Sequence, residues 1–385
     1  MNKLEKLIAS LCPRGVEYKT LGEVTTDFYR GNGILRTQIT DAGIPCVRYG
    51  EIYTSYNTWF DTCISHTRIE YIPSPKYFEH GDVLFSITGE KISEIGKSTV
   101  YVGHDKCLAG GDIVVMKHNQ NPKYMGYALS TNEAQQQKSK GKVKSKVVHL
   151  SVAELMAVVI PVPPLPVQEE IVRMLDEMAG LIDELEQELA ARKRQYEWCR
   201  DKALRMPKGV EYKALGEACV ILDSKRKPVS KGARVAGCYP YYGANGVQDY
   251  VDGFLFDGEF LLVGEDGSVI NKDKSPVLTW ATGKIWVNNH AHVLAEGSDV
   301  LLRYLYYAMQ GLDVSGVVRG TPPKLNQENL RNLLVPVPSR SVQEEIVRML
   351  DEMTGLIGEL EQEIVLRKQQ YEYYRDRLLT FQRVG

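Results

Sequence analysis

The sequence predicts an α+β fold in which two mixed α/β domains are separated by an antiparallel coiled coil of two long helices. Three observations support this prediction. Val167–Met178 returns residue for residue as Val342–Met353, and the phrase GVEYK at Gly15 returns at Gly209. The segments between these repeats have little sequence in common. Long internal identity indicates equivalent structural units, so we expect a pseudo-twofold internal repeat.

Length and composition indicate a globular protein. The chain has 385 residues, which is too long for one ordinary core, so two or more domains are expected. Its formal net charge of -2 means that any nucleic-acid surface must be a local basic patch. The cysteines are odd in number and never form a C-x-x-C pair, which predicts free thiols in a reducing cytoplasm. Neither a signal peptide nor an apolar run of ~20 residues is found, so we expect a cytoplasmic protein without membrane contact.

The first domain is predicted to occupy residues 1–166. Met1–Leu11 has the apolar spacing of a short helix. Valine- and isoleucine-rich runs bounded by glycine and proline predict strands at Gly43–Ile52, Gly81–Thr88, Lys97–Val102 and Gly111–His118. Short helices are expected at Met125–Thr131 and Ser151–Val158.

The second domain is predicted at residues 206–341, with strands at Glu259–Glu265 and Lys284–Leu294 and a helix at Leu301–Gln310. The opening phrase repeats after 194 positions (209 − 15), whereas the long helix repeats after 175 (343 − 168). The segment from the opening phrase to the long helix is therefore 19 residues shorter in the second copy (194 − 175). A common frame with a divergent middle suggests one scaffold that presents two different binding surfaces.

The long helices are predicted at residues 167–205 and 342–381, after prolines that forbid a helix through each junction. Apolar residues recur with 3-4 spacing, the pattern of a coiled coil. The seam residues are Ile171, Leu175, Met178, Ile182 and Leu185 in the first copy and Ile346, Leu350, Met353, Ile357 and Leu360 in the second. Because one chain contains both seams, we favour antiparallel pairing within the chain over a homodimer.

Signals for catalysis are weak. Gly96-Lys97-Ser98 lacks the preceding glycine of a phosphate-binding loop, since position 91 is Lys91. His290 and His292 lie on one face of a strand, but no third metal ligand is near them in sequence. We therefore expect packing or hydrogen bonding for these histidines, and we predict neither a catalytic residue nor a metal site.

Signals for binding are stronger. Five lysines fall on every second residue and, if extended, project from one face roughly 6.6 Å apart: Lys138, Lys140, Lys142, Lys144 and Lys146. They predict either a row that follows a phosphate backbone or an edge strand protected from aggregation. Both interpretations stay open.

A second basic stretch precedes a tyrosine-rich one. Lys225, Arg226 and Lys227 supply candidate phosphate contacts, and Tyr241, Tyr242 and Asn245 candidate base contacts. The alternative is a tyrosine-rich core hairpin with a solvated approach loop. Further candidates for DNA contact are Arg30, Arg36, Arg48, Tyr49, Lys91, Arg319 and Lys324.

The arrangement resembles the specificity (S) subunit of type I restriction–modification systems. The most specific parts are PVPPLPVQEEIV at Pro161–Val172 and PVPSRSVQEEIV at Pro336–Val347. Further segments look like the family's target-recognition domains: GDVLFSITGE (Gly81–Glu90), KSKGKVKSKVVHLS (Lys138–Ser151), YPYYGANG (Tyr239–Gly246), LFDGEFLLVGEDGS (Leu255–Ser268) and TGKIWVNNHAHVL (Thr282–Leu294). The resemblance covers nearly the whole chain.

This resemblance implies a non-catalytic subunit for recognition and assembly. Each target-recognition domain would read one half of a bipartite, asymmetric site in double-stranded DNA, and the coiled coil would set the spacer. Two modification (M) subunits would methylate adenine with S-adenosylmethionine, and restriction (R) subunits would cleave with ATP and Mg²⁺. No cofactor is expected on this chain. A methyltransferase or nuclease fused to its own reader, or a scaffold that binds protein, are the alternatives.

Overall fold

A computed structural model describes residues 2–143, 147–205 and 209–384 of the chain. They form two compact units, the first comprising Met1–Leu185 with Glu363–Gly385 and the second Glu186–Gln362. Each unit contains one sheet-bearing domain. Each also contains the opening turns of one long helix and the closing turns of the other. The fold is thus mixed α/β with a long helix between two sheet-containing domains, as predicted.

The first domain is rich in short strands. Its helices are α1 (Lys3–Leu11), α2 (Leu21–Val24), α3 (Tyr49–Thr54), α4 (Pro122–Leu129), α5 (Asn132–Ser139) and α6 (Val152–Met156). Its strands are β1 (Tyr18–Thr20), β2 (Thr25–Arg30), β3 (Ile39–Thr40), β4 (Ile44–Val47), β5 (Trp59–Phe60), β6 (Ser65–Thr67), β7 (Tyr77–Phe78), β8 (Val83–Ser86), β9 (Thr88–Gly89), β10 (Ser98–Tyr101), β11 (Cys107–Ala109), β12 (Ile113–His118), β13 (Val148–His149) and β14 (Val159–Pro161). Short 3-10 turns occupy Arg36–Gln38, Ile69–Tyr71 and Ile92–Glu94.

Two five-stranded sheets form the body of this domain, in the orders β2-β12-β8-β10-β5 and β3-β6-β4-β11-β7. Alternate residues of β12 face different core clusters, Val114 and Met116 on one side and Ile113 and Val115 on the other. Because both faces of β12 are covered, its apolar run is continuous rather than alternating. The strand predicted at Gly43–Ile52 is confirmed only in its first half, by β4, since α3 begins at Tyr49.

The first long helix, α7 (Leu165–Leu204), leads to the second domain. The strands of this domain are β15 (Glu211–Ala214), β16 (Cys219–Ile221), β17 (Ala236–Gly243), β18 (Gly246–Val251), β19 (Phe256–Gly264), β20 (Leu278–Val287), β21 (Ala291–Glu296) and β22 (Leu334–Val337). Its helices are α8 (Leu215–Ala218), α9 (Leu302–Gln310) and α10 (Gln327–Arg331), and the second long helix, α11 (Arg340–Leu378), follows. Short 3-10 turns occupy Asp223–Lys225 and Lys231–Ala233.

One six-stranded sheet, in the order β16-β21-β19-β20-β17-β18, forms the second domain. Here too the central strand buries both faces, with Leu261 and Val263 of β19 in one core cluster and Phe260 and Leu262 in another. The predicted strand Lys284–Leu294 is two strands, because a turn separates β20 from β21.

The two kinds of repeat pair with each other. Strand β1, which contains the first GVEYK tyrosine, pairs antiparallel with β14, so that Tyr18 lies opposite Pro161. Strand β15 pairs with β22 in the same way, and Tyr212 lies opposite Pro336. Each domain is therefore closed by the same two-stranded ladder, and the segment between the two strands is free to diverge.

The seam residues of the long helices are buried most deeply near each helix start. Ile171 and Leu175 are fully buried in the core of the first domain, and Ile346 and Leu350 occupy the equivalent place in the second. Ile182 is also buried, and Met178, Leu185, Met353, Ile357 and Leu360 are half-buried. Farther along the helices, Lys193 of α7 pairs with Glu361 of α11 at 2.6 Å. The first turns of each predicted seam thus pack on a sheet-bearing domain.

The seven cysteines are free thiols, as predicted. None of the helices in the described ranges has an apolar stretch long enough to cross a bilayer.

Candidate nucleic-acid interface

The lysine row does not form the extended ladder that its spacing predicts. Helix α5 includes Lys138 and is capped by the Thr131 side chain. Lys138 points into the first domain, with 2% of its surface exposed, and its Nζ donates to the carbonyl oxygens of Gly96 and Leu129 at 3.1 Å each. Burial lowers the pKa of Lys138 to about 7. The prediction that Lys138 lies on a phosphate-binding face is therefore wrong.

The other lysines of the row have different surroundings. Lys140 follows α5 and is exposed. Lys142 pairs with Glu154 at 2.7 Å, and this hydrogen bond is the main reason that the pKa of Glu154 falls to about 2. Lys144 and Lys146 lie outside the described residues. Within the described part of the row, Lys140 is thus the lysine that presents its side chain most freely to solvent.

Two candidate arginines of the first domain meet where three chain segments cross. Arg30 ends β2, and Arg48 follows β4. A Cβ on Gly31 would lie 2.2 Å from the carbonyl oxygen of Gly110, and one on Gly110 would lie 2.7 Å from that of Val47. Only glycine permits such close approach of backbones, so these glycines bring the two arginines to one place.

The charges at this crossing are partly compensated. Arg30 is exposed and pairs with Asp112, the residue immediately before β12. Arg48 pairs with the buried Glu51 at 2.8 Å and keeps 30% of its side chain exposed. Tyr49, beside it, is 40% exposed. Arg30, Arg48 and Tyr49 are therefore exposed in whole or in part near this crossing.

The structure places the two remaining candidates of the first domain on exposed turns. Arg36 begins a 3-10 turn. Lys91 precedes another 3-10 turn and pairs with Glu94 at 3.0 Å.

Arg226 of the second domain is an internal cation. Its side chain is 12% exposed, and Nη1 donates to Oε2 of Glu265 at 2.6 Å while Nη2 lies 3.4 Å from Asp223. The prediction of a DNA contact for Arg226 is therefore wrong for this geometry, because the guanidinium is already engaged by two carboxylates. Its sequence neighbours Lys225 and Lys227 are exposed.

His292 completes the same network. Its ring is fully buried, with Nδ1 2.6 Å from Asp223 and Nε2 2.8 Å from the carbonyl oxygen of Leu325. Burial alone would raise the pKa of Asp223, but the hydrogen bond and charge of His292 hold it below its ordinary value. The ligand atoms of Asp223, Glu265 and His292 lie within 4.8 Å of one another, yet Arg226 and His292 already compensate the carboxylates. His292 is thus engaged in hydrogen bonding, as expected, and its contact with Leu325 connects β21 to the segment before α10.

The tyrosine-rich stretch is a core hairpin, so the alternative interpretation is correct. Tyr241 and Tyr242 belong to β17, with 1% and 9% of their surface exposed. The hydroxyl of Tyr241 accepts a hydrogen bond from the backbone N–H of Val229 at 2.9 Å. Base contacts through these two rings are therefore wrong predictions. Asn245 lies at the exposed turn between β17 and β18.

Basic side chains gather at one end of the six-stranded sheet. Lys324 pairs with Glu265, the residue after β19, at 3.2 Å. Arg319 and Lys324 also exchange backbone hydrogen bonds of 3.0 and 2.7 Å, and both are exposed. The internal network beneath them thus positions two surface cations.

The β17–β18 turn reaches the same end of the sheet. A Cβ on Gly264, the last residue of β19, would lie 3.3 Å from the carbonyl oxygen of Ala244. The amide of Asn288, in the turn between β20 and β21, donates to Gln248 at 3.3 Å. Asn245 therefore lies near Lys324 and Arg319 in a cluster of loops.

Two groups of this cluster were missed as contact candidates. His290 pairs with Asp266 beside Glu265, and its ring is about half exposed. The indole of Trp286 donates to the carbonyl oxygen of Lys227 at 2.7 Å. For His290, the run Asn288–His292 was the available signal, since it combines amide and imidazole groups.

Comparisons with known proteins agree with this architecture. Residues 13–192 and 207–366 each match the model of the type I restriction modification DNA specificity domain. A provisionally named type I restriction enzyme specificity subunit from Haemophilus influenzae is 41% identical over 180 residues, which are 44% of this chain and 46% of that protein. The EcoR124I/EcoR124II specificity subunit from Escherichia coli is 29% identical over 246 residues, 57% and 61% of the two chains. The chain spans about half the length of the curated relatives it matches.

A solved structure has the same fold. The S subunit of a type I restriction–modification system from M. genitalium superposes with a TM-score of 0.58 at 13% identity, over 95% of this chain and 96% of that one. The family model covers most of both halves of the sequence, and each half contains the same ladder and long helix. The chain therefore belongs to the family of type I restriction–modification specificity subunits.

Proposed function

We propose that each domain reads one half of a bipartite, asymmetric sequence in double-stranded DNA, and that the two long helices set the spacer between the halves. One observation carries this proposal. The two units share a ladder and a helix, but the exposed candidate residues that they present are different. The first presents Arg30, Arg48 and Tyr49, and the second Asn245, Arg319 and Lys324. Two different surfaces on one frame suit two different half-sites.

The chemistry of these groups suits DNA. Arginine binds guanine edges and phosphates in bidentate fashion, asparagine matches adenine, and lysine contacts phosphate as a point charge. The cations are local in a chain of net charge -2. Phosphate neutralisation by a few such groups makes affinity salt-dependent.

The partners proposed are two modification subunits and additional restriction subunits. We place the docking of these subunits on the long helices, whose exposed apolar side chains are Trp198, Leu356, Leu366 and Tyr373 among others. This chain would contribute recognition and assembly without catalysis, and it would act in the cytoplasm. S-adenosylmethionine, ATP and Mg²⁺ would bind the partner subunits.

Methylome sequencing of cells with and without the gene tests this function. We expect one bipartite motif, with two short specific parts and a spacer of constant length, to lose its methylation when the gene is removed. A contiguous palindrome or an unchanged methylome would contradict the proposal.

A domain exchange tests the division of labour. Residues 28–146 are replaced by the equivalent segment of another family member. We expect one half of the motif to change and the other to remain. A change in both halves would contradict the assignment of one half-site to each domain.

A further inference from the structure

A buried glutamine joins each long helix to its domain. Gln168 of α7 is fully buried, and its Oε1 accepts from the backbone N–H of Asn121 at 3.0 Å. Its Nε2 donates to the carbonyl oxygen of Pro163 at 2.7 Å. Asn121 is the N-cap residue of α4. One amide side chain therefore connects the start of a domain helix to the proline-containing segment that precedes the long helix.

The second unit repeats this arrangement. Gln343 lies 175 positions after Gln168 (343 − 168) and is also fully buried. Its Oε1 accepts from the backbone N–H of Leu301 at 2.9 Å, and its Nε2 donates to the carbonyl oxygen of Pro338 at 2.9 Å. Leu301 is the N-cap residue of α9. Each glutamine thus binds backbone groups of its domain and of the segment before its long helix, and Gln168 also donates to Oε1 of Gln120 at 2.8 Å.

Two further contacts recur at fixed distances from the cap. A tyrosine three positions after it donates to the carbonyl oxygen of a ladder proline, from Tyr124 to Pro161 at 3.0 Å and from Tyr304 to Pro336 at 2.9 Å. A cation two positions after the cap pairs with an aspartate of the long helix at 2.7 Å. The pairs are Lys123 with Asp176 and Arg303 with Asp351.

A second tyrosine donates to the same aspartate. The hydroxyl of Tyr127 lies 2.5 Å from Asp176, and Tyr307 makes the equivalent hydrogen bond to Asp351. Asp176 and Asp351 are also 175 positions apart (351 − 176). Each aspartate thus receives a cation and a phenol from one domain helix.

We call these two sets of residues the helix seats. The first seat consists of Gln168, Asp176, Lys123, Tyr124 and Tyr127, and the second of Gln343, Asp351, Arg303, Tyr304 and Tyr307. They differ mainly in the cation. Lys123 lies over one ring, that of Trp59 at 4.0 Å, whereas Arg303 lies within 5.2 Å of Trp280, Tyr306 and Tyr307.

We propose that the helix seats fix the angle of each DNA-reading domain on its own long helix, and that this rigidity restricts the complex to one spacer length. On each domain helix, the cap meets the glutamine of the long helix, and the cation and the second tyrosine meet its aspartate, while the first tyrosine meets the ladder proline. Together these contacts oppose rotation and sliding of the domain helix. Charge-assisted hydrogen bonds are the strongest of these. Asp176 and Asp351 are positioning residues, because they act through the domain helix and not on DNA. This inference rests on the proposed function.

Spacer discrimination tests the proposal. The chain is assembled with its modification subunits and offered duplexes that carry both half-sites with the native spacer or with one base pair more or fewer. The variants are Asp176→Ala with Asp351→Ala. We expect affinity for the native spacer to stay within about threefold, and the preference over altered spacers to fall roughly tenfold as preorganisation is lost.

Matched variants separate positioning from stability. Glu177→Ala with Glu352→Ala changes the next residue of each helix, where the carboxylates pair with Arg173 and Arg348 of their own helix. We expect this control to keep the wild-type preference. Asp176→Asn with Asp351→Asn retains an acceptor oxygen and should restore part of it. If the alanine variants do not fold, Tyr127→Phe with Tyr307→Phe removes only the hydroxyl groups.

The outcomes are distinguishable. A wild-type complex that prefers no bipartite site would overturn the proposed function itself. A folded variant that binds every duplex more weakly, but with the wild-type ratio between spacers, would overturn the role of the helix seats alone.

Discussion

Replacing Lys138 by methionine tests its burial directly. The amine is enclosed in the first domain, and burial lowers its pKa from 10.5 to about 7. Between these values the unfolded chain binds a proton at this group and the folded chain does not. Wild-type stability should therefore rise with pH across this window, and the contribution disappears in Lys138→Met. One pKa unit corresponds to ~1.4 kcal/mol, so the full difference is roughly 5 kcal/mol.

The slope is more informative than the absolute difference. Methionine also removes two hydrogen bonds, to Gly96 and Leu129, which shifts stability by a constant amount at every pH. Urea unfolding of the full chain at several pH values between 7 and 10 gives the free-energy difference between variant and wild type. We expect the variant's relative stability to fall by ~1.4 kcal/mol for each pH unit.

The exposed Lys140 provides the matched control. Lys140→Met makes the same exchange at an exposed amine, and we expect its difference from wild type to vary with pH less than that of Lys138→Met. A flat difference for Lys138→Met would refute the burial argument. A large loss of DNA affinity in Lys138→Met, at unchanged stability, would restore this lysine as a phosphate contact.

Three further predictions concern the joints and surfaces. Gln343→Ala should lower the free energy of unfolding by about 1–3 kcal/mol, because the backbone N–H of Leu301 loses its partner. The matched variant Glu344→Ala, at an exposed position, should change it little, and equal effects in urea titrations would contradict this prediction. Arg319→Ala with Lys324→Ala should weaken DNA binding of the assembled complex and reduce the slope of log affinity against log salt by about 1 per lost phosphate contact, and an unchanged slope would exclude these contacts. Gly31→Ala should destabilise the first unit by about 1–3 kcal/mol, because the added Cβ clashes with the carbonyl oxygen of Gly110. In Gly33→Ala the Cβ meets nothing within 4 Å, so thermal unfolding should show a smaller loss of stability for this variant.

The sequence repeats predicted the shared parts of the two units well, namely the long helices that follow each domain, because identical segments are expected to have equivalent surroundings in both units. Val167–Met178 and its copy lie in the first turns of α7 and α11, which begin two residues earlier than predicted, at Leu165 and Arg340. The central strands were recognised from their apolar runs. The boundaries were less predictable. The turn after β20 is polar in a stretch that reads as one strand, and Tyr49 begins a helix within a segment of high strand propensity.

The candidate site was predictable only in part, since side-chain exposure is set by tertiary packing. The alternating lysines suggested a strand, but Thr131 caps a helix that turns Lys138 inward. Arg226 has the composition of a surface contact, and the distant Glu265 makes it an internal one. The tyrosines of β17 were equally ambiguous, because aromatic residues serve cores and interfaces alike.

The ladders that close the two domains have a practical consequence for engineering. The chain enters a domain on one strand and leaves it on the neighbouring strand, with Tyr18 beside Pro161 and Tyr212 beside Pro336. Opposed residues of an antiparallel pair have Cα atoms only about 5 Å apart. Any inserted domain whose own ends are that close, and whose helix carries the cation and tyrosines of a helix seat, meets the geometric requirements of either position. The ladders and long helices would therefore accept exchange of either domain without a change in the rest of the chain.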